Sequence, residues 1–168
     1  YNELETYAAT ATRWGQRVIC AMTAQMRKPL WSADVGQAFL KGLTFEEISK
    51  MPGETKRALQ FELPLGSVPV LRQLEGYEDF DPTRELLDML RPGFGTKDAP
   101  RLWDMRLKAE LEAFGMHPTK VDKRIYLKHD QRGNLLIILS THVDDLKGTG
   151  DEEECEALIV RLEKALGK

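Results

Sequence analysis

A chain of 168 residues, 42% hydrophobic and 30% charged, has the make-up of an ordinary globular protein and is long enough for one core burying roughly 68–70% of its unfolded surface. Its net charge of −3 speaks against a dedicated nucleic-acid binder, which is usually basic. No apolar run nears the ~18 residues of a membrane span, and two distant cysteines, Cys20 and Cys155, fit a reducing intracellular compartment better than a disulfide scaffold.

The first element expected is a helix over residues 6–28, with Trp14, Val18, Ala21, Met22 and Gln25 at helical spacing and Pro29 closing it. Residues 30–35 read as a short strand broken by Gly36. Asp34 then stands at the strand's C-terminal end, where functional side chains collect in sheet proteins; a turn or helix-capping aspartate is the plainer local reading. Residues 42–58 read as irregular or partly helical, 59–63 as a strand closed by Pro64, and 68–71 as a weaker strand. Asp81 or Thr83 is expected to cap a helix running to about Leu90, followed by a Gly/Pro loop over 91–96.

The clearest helix is 99–114, with Asp98 as cap, Pro100 in the first turn and an apolar stripe of Trp103, Leu107, Leu111 and Phe114. Residues 124–129 alternate as a strand, and 130–134 form a hairpin turn. Leu135–Leu139 then opens a buried strand that climbs to His142-Val143, meets Asp144 and Asp145, and returns through Leu-Lys-Gly-Thr-Gly. Asp151 and Glu154 look like a capping pair for a last helix with Cys155, Ile159, Leu162 and Leu166 on one face. No repeat or second boundary is visible, so residues 1–168 read as one α+β domain. A start at Tyr1, with no methionine, leads us to expect a piece of a longer polypeptide.

The acid pair is the strongest chemical signal. At about 4 Å and an effective dielectric of about 20, two carboxylates repel by about 4 kcal/mol, and a divalent cation would neutralise them. His117, His129 and Cys155 lack partners at zinc-like spacing, and no Gly-x-x-x-x-Gly-Lys-Ser/Thr phosphate loop, Gly-x-Ser-x-Gly elbow or dinucleotide fingerprint is present. Residues 97–132 hold nine Lys/Arg against six acids, a locally basic stretch that reads first as a solvated mixed-charge face and otherwise as a phosphate-facing one.

Three stretches in order carry a family resemblance. Ala33-Asp34-Val35-Gly36-Gln37-Ala38-Phe39-Leu40-Lys41-Gly42 resembles the DVxxAFLxG motif of copia-type LTR-retrotransposon reverse transcriptases. Phe94-Gly95-Thr96-Lys97-Asp98-Ala99-Pro100-Arg101-Leu102-Trp103 is similar to their YGLKxAPRxW, and His142-Val143-Asp144-Asp145-Leu146 to their YVDDL. Met51-Pro52-Gly53, Leu111 through Gly115, Asp122 and Ile125-Tyr126 add lesser matches, and the resemblance covers roughly residues 7–168.

The resemblance implies a reverse-transcriptase palm: an antiparallel sheet backed by helices, here with partial fingers and no complete thumb. It implies that Asp34, Asp144 and Asp145 are catalytic and, with the Val35 carbonyl, hold two Mg²⁺ ions, with Mn²⁺ as a substitute and Asp145 contributing least direct ligation. Phe39 would pack under the incoming sugar and exclude a 2′-hydroxyl, its plainer reading being a core phenylalanine; Gly95 would approach template and nucleotide, and Lys97 and Arg101 would meet phosphates. The partners implied are an RNA or DNA template with primer, deoxynucleoside triphosphates and the rest of a polyprotein with RNase H and integrase, in the cytoplasm (in virus-like particles) or nucleus and with no membrane.

This sequence departs from the family at His142, where a tyrosine is usual, at Gly93-Phe94-Gly95-Thr96 for Leu-Tyr-Gly-Leu, and at Lys147 for a hydrophobic residue. The competing readings are a decayed or domesticated element serving as a non-catalytic nucleic-acid-binding or structural module, and a phosphoacceptor receiver domain. The second needs its acid pair near the first strand, the reverse of the order here.

Overall fold

The computed structural model describes residues 6–64 and 66–167. In chain order the elements are α1 (Arg13–Met26), β1 (Leu30–Asp34), a 3-10 turn (Ala38–Lys41), α2 (Phe45–Ser49), β2 (Gln60–Phe61), α3 (Val68–Leu71), β3 (Leu87–Asp88), α4 (Ala99–Ala113), β4 (His117–Pro118), β5 (Ile125–His129), β6 (Leu135–His142), β7 (Asp145–Gly150) and α5 (Glu152–Leu166). They form two compact units, one of residues 1–43 and 93–168 and the other of residues 44–92. The fold is mixed, with helices and antiparallel sheet. Among the described residues no helix is long and apolar enough to cross a membrane.

The larger unit is built on a five-stranded antiparallel sheet in the order β1-β7-β6-β5-β4. Both faces are covered, which explains the unbroken apolar run of β6. Ile137 and Leu139 face a core shared with Trp103, Leu107 and Leu111 of α4 and Leu158, Leu162 and Leu166 of α5. Ile138 faces the other way, onto Ile19 and Met22 of α1. Asp130 folds the β5–β6 turn by accepting the backbone N–H groups of Arg132 and Asn134, with Gly133 at φ 84°.

Several elements differ from expectation. Helix α1 begins at Arg13, because Thr12 adopts an extended backbone and its hydroxyl accepts the Gly15 N–H. Its buried face is also not the one built on Trp14 and Val18: Gly15 and Ile19 are buried, while Trp14 is 72% exposed. A Cβ on Gly15 would lie 3.0 Å from Asp122 Oδ2 and 3.3 Å from Ile125 Cδ1, so the missing side chain lets this face press onto the sheet.

Residues 68–71 form a helical turn with Pro69 at its start rather than a strand. Residues 87–88 form a strand rather than the end of a helix, because Gln60–Phe61 pairs with them and Asp81 instead closes a turn on Thr83. Neither aspartate expected to cap α4 or α5 does so through its side chain: Asp98 makes no side-chain cap hydrogen bond, and Asp151 pairs with Lys28 at 2.9 Å. Glu154, its expected partner, pairs instead with Lys128 at 2.6 Å. In the smaller unit, Thr44 and Glu47 form a reciprocal capping box on α2.

Candidate active site

The acidic stretch lies where β1 and the β6–β7 hairpin meet. Asp145 is the first residue of β7, pairs with His142 across the hairpin, and stands directly opposite Asp34, the last residue of β1. Directly opposed residues share a face of the sheet. The next residue, Val35, donates its N–H to the Asp144 carbonyl at 3.0 Å. Two distant parts of the sequence thus place Asp34, Asp144 and Asp145 in neighbouring backbone positions. Asp34 and Asp145 are exposed and Asp144 is half-buried. Among the described residues no three His, Cys, Asp or Glu side chains converge to hold a metal ion.

The hairpin turns through two residues, Val143 and Asp144. Val143 has φ 56°, in the left-handed region that a β-branched side chain rarely enters. Its carbonyl accepts the indole N–H of Trp103 at 2.7 Å, and its side chain packs against the main core. Trp103 is 1% exposed. Sequence periodicity identified it as an apolar stripe residue, and nothing in that pattern signals that its N–H holds the turn bearing Asp144.

After Asp34 the chain turns through Gly36 and Gln37 into the 3-10 segment that carries Phe39. The Phe39 ring packs against the main core and meets Phe94 edge-on, with centroids 5.9 Å apart. Phe94 belongs to a turn in which Thr96 N–H bonds the Gly93 carbonyl at 3.2 Å and Gly95 takes φ 89°. That is a type II turn, which demands glycine at its third position. Lys97 follows on the surface, and Arg101 is half-buried in the first turn of α4. Gly42 lies against the backbone of Trp103, where a Cβ would come within 3.0 Å of its N, and Leu43 N–H bonds the Leu102 carbonyl at 3.2 Å. Helix α4 therefore contacts both the segment leaving β1 and the hairpin turn.

Two cavities open on the acids. One, of about 230 Å³, is mainly apolar and lies between β1 and α5, with Asp34 on its wall. The other, of about 620 Å³, lies between the start of α1 and the hairpin and includes Arg13, Gln16, His142, Asp145 and Lys147.

The chain is similar to two Arabidopsis thaliana proteins, each described as a retrovirus-related Pol polyprotein, from transposons RE2 and RE1. Identity is 23% and 22% over 148 residues, covering 88% of this chain but only 9% and 8% of the polyproteins. The chain thus spans less than a tenth of the length of these relatives. No family model and no solved structure matches. The similarity supports an origin in a retrotransposon polyprotein.

Proposed function

We propose that this chain is the palm-centred part of an RNA-directed DNA polymerase from a retrotransposon polyprotein, with Asp34, Asp144 and Asp145 as its catalytic carboxylates. The observation that supports this most is the register that sets Asp34 opposite Asp145 while Val35 N–H binds the Asp144 carbonyl. An antiparallel sheet with α4 and α5 on one face agrees with the palm reading.

The donor set fits magnesium. Aspartate oxygens are hard ligands, and Mg²⁺ usually takes only one or two carboxylates from protein, completed by waters and substrate phosphates. Because the register sets Asp145 opposite Asp34, Asp145 takes a larger share of the ligation than the resemblance implies: Asp34 and Asp145 would supply the two carboxylates, with Asp144 beside them and the Val35 carbonyl as a further donor. When bound, two Mg²⁺ (or Mn²⁺) ions supply activation of the primer 3′-hydroxyl and charge stabilisation on the transferred phosphoryl group and leaving pyrophosphate. Phe39, braced edge-on by Phe94, supplies a flat apolar floor for a deoxyribose. Gly95 keeps the loop slim where template and nucleotide pass, and Lys97 and Arg101 contribute sequence-independent phosphate contacts. The substrates are template-primer and deoxynucleoside triphosphates, and the RNase H and integrase of the polyprotein are the natural partners.

A second reading, a non-catalytic nucleic-acid-binding or structural module, is favoured by the absence of a convergent carboxylate cluster among the described residues. Primer extension on an RNA template with Mg²⁺ separates the two, using this chain and a version extended by its native flanking sequence. Incorporation should fall in Asp34→Asn and Asp144→Asn by more than the ~100-fold seen when an outer-shell metal partner is lost. Extension that is absent from the longer version, or that survives both substitutions, sinks the polymerase reading.

A further inference from the structure

The outward face of α1 is cationic and aromatic. From Thr6 to Ala33 the sequence holds Arg13, Arg17, Arg27 and Lys28 and no acid, in a chain whose net charge is −3. Trp14 is 72% exposed, and the Arg17 guanidinium lies over one side of its ring, 5.1 Å from the centroid. Arg13 is exposed beside it. Lys28 is engaged by Asp151 at 2.9 Å, whereas among the described residues neither Arg13 nor Arg17 pairs with a carboxylate. The nearby Asp122 carboxylate is occupied by the Thr12 hydroxyl at 2.8 Å and the Arg124 N–H at 2.9 Å.

One exposed tryptophan alone needs no explanation. This one sits between two arginines that pair with no carboxylate among the described residues, and the ridge continues into the 620 Å³ cleft through Arg13, which lines it together with Lys147, His142 and Asp145. A cationic track with an aromatic platform is the arrangement that binds a single nucleic-acid strand: phosphates meet the cations, and every base has a π-face to stack. An anionic lipid surface would also attract the arginines. It would want a broader apolar face than Trp14 with the partly exposed Val18, at 42%, provides.

We infer that the Arg13–Trp14–Arg17 ridge of α1 is a landing site for single-stranded nucleic acid, in which Arg13 and Arg17 meet phosphates and the open face of Trp14 stacks a base. The inference shares with the polymerase reading a nucleic-acid substrate, but it requires no catalysis.

The test is binding of labelled oligothymidylate and oligouridylate of roughly 20 nucleotides, longer than the ~4–16 one small binding fold covers. It is followed by anisotropy in EDTA. Trp14→Ala should weaken binding roughly 5- to 100-fold, while Trp14→Phe retains most of it. Arg13→Ala and Arg17→Ala should each weaken binding and flatten the slope of log affinity against log salt by about 0.7. All three positions changed carry solvent-facing side chains, so unaltered far-UV circular dichroism is part of the expected result. Binding that ignores Trp14→Ala, no binding at all, equal competition by base-free polyphosphate, or preference for phosphatidylserine vesicles overturns the inference. Loss of primer extension with this binding profile intact removes the polymerase reading alone; extension with Trp14-independent binding removes this one alone.

Discussion

Val143 is the residue whose conformation most needs explaining. A β-branched residue at φ 56° is held at a cost of order 1–3 kcal/mol and persists only where its surroundings over-determine it. Here the surroundings are Trp103, through the 2.7 Å bond to the Val143 carbonyl, and the core against which Val143 packs. Trp103→Phe keeps most of the buried ring but removes the donor. It should destabilise the protein by about 1–3 kcal/mol in urea unfolding, the usual penalty for a stranded acceptor. It should also speed amide exchange at Val143 and Asp144 relative to the middle of β6. A variant with wild-type stability and unchanged exchange at the turn would show that Trp103 is packing alone. Trp103 thus links the core of the sheet to the conformation of a candidate catalytic turn.

Among the elements, β7 is constrained most tightly by what lies across it. Trp31 on β1 faces Gly148, and its indole N–H reaches Cys155 Sγ at 3.2 Å. A Cβ on Gly148 would fall 2.7 Å from the Trp31 ring and 2.9 Å from the Ile138 carbonyl, whereas one on Gly36 would meet nothing. Gly148→Ala should therefore cost about 1–3 kcal/mol, as overpacking does, and Gly36→Ala less than about 1. Equal midpoints in denaturant for the two variants would contradict this packing.

The same strands show what sequence can reveal. An apolar run closed by a turn has few alternatives to a buried hairpin, so β6 and β7, with Asp144 and Asp145 between them, were legible residue by residue. Asp34 reads locally as a turn or capping aspartate, and only the family resemblance joined it to the pair before the register did. The face α1 would bury was not, because Trp14 with Val18 and Gly15 with Ile19 obey the same spacing. The choice between them rests on a glycine's close approach to Asp122 and Ile125. Residues 87–88 became a strand through a partner at 60–61, a pairing that helix periodicity does not register. The Trp103 bond was equally hidden, since an indole N–H leaves no trace in hydrophobic spacing.

For the molecule as a whole, the position of the acids ties function to stability. Asp34 and Asp145 join β1 to β7 inside the sheet of the larger unit, and like charges directly opposite each other on a sheet destabilise it by roughly 0.2–1 kcal/mol. All three tryptophans, Trp14, Trp31 and Trp103, lie in that unit, so a fluorescence melt reports on it. In EDTA, Asp145→Asn should melt roughly 1–4 °C above the natural chain, because one of two facing charges is gone. If the pair holds metal, Mg²⁺ or Mn²⁺ at about ten times its dissociation constant should stabilise the natural chain by about 1.4 kcal/mol, or roughly 3–6 °C. The Asp145→Asn chain should gain much less, so the order of the two melting temperatures reverses as metal is added. A variant that is no more stable in EDTA, together with equal metal responses in both chains, would mean that the facing aspartates neither repel nor share an ion. A reversal would show that a local electrostatic defect in the sheet is retained because a bound cation relieves it.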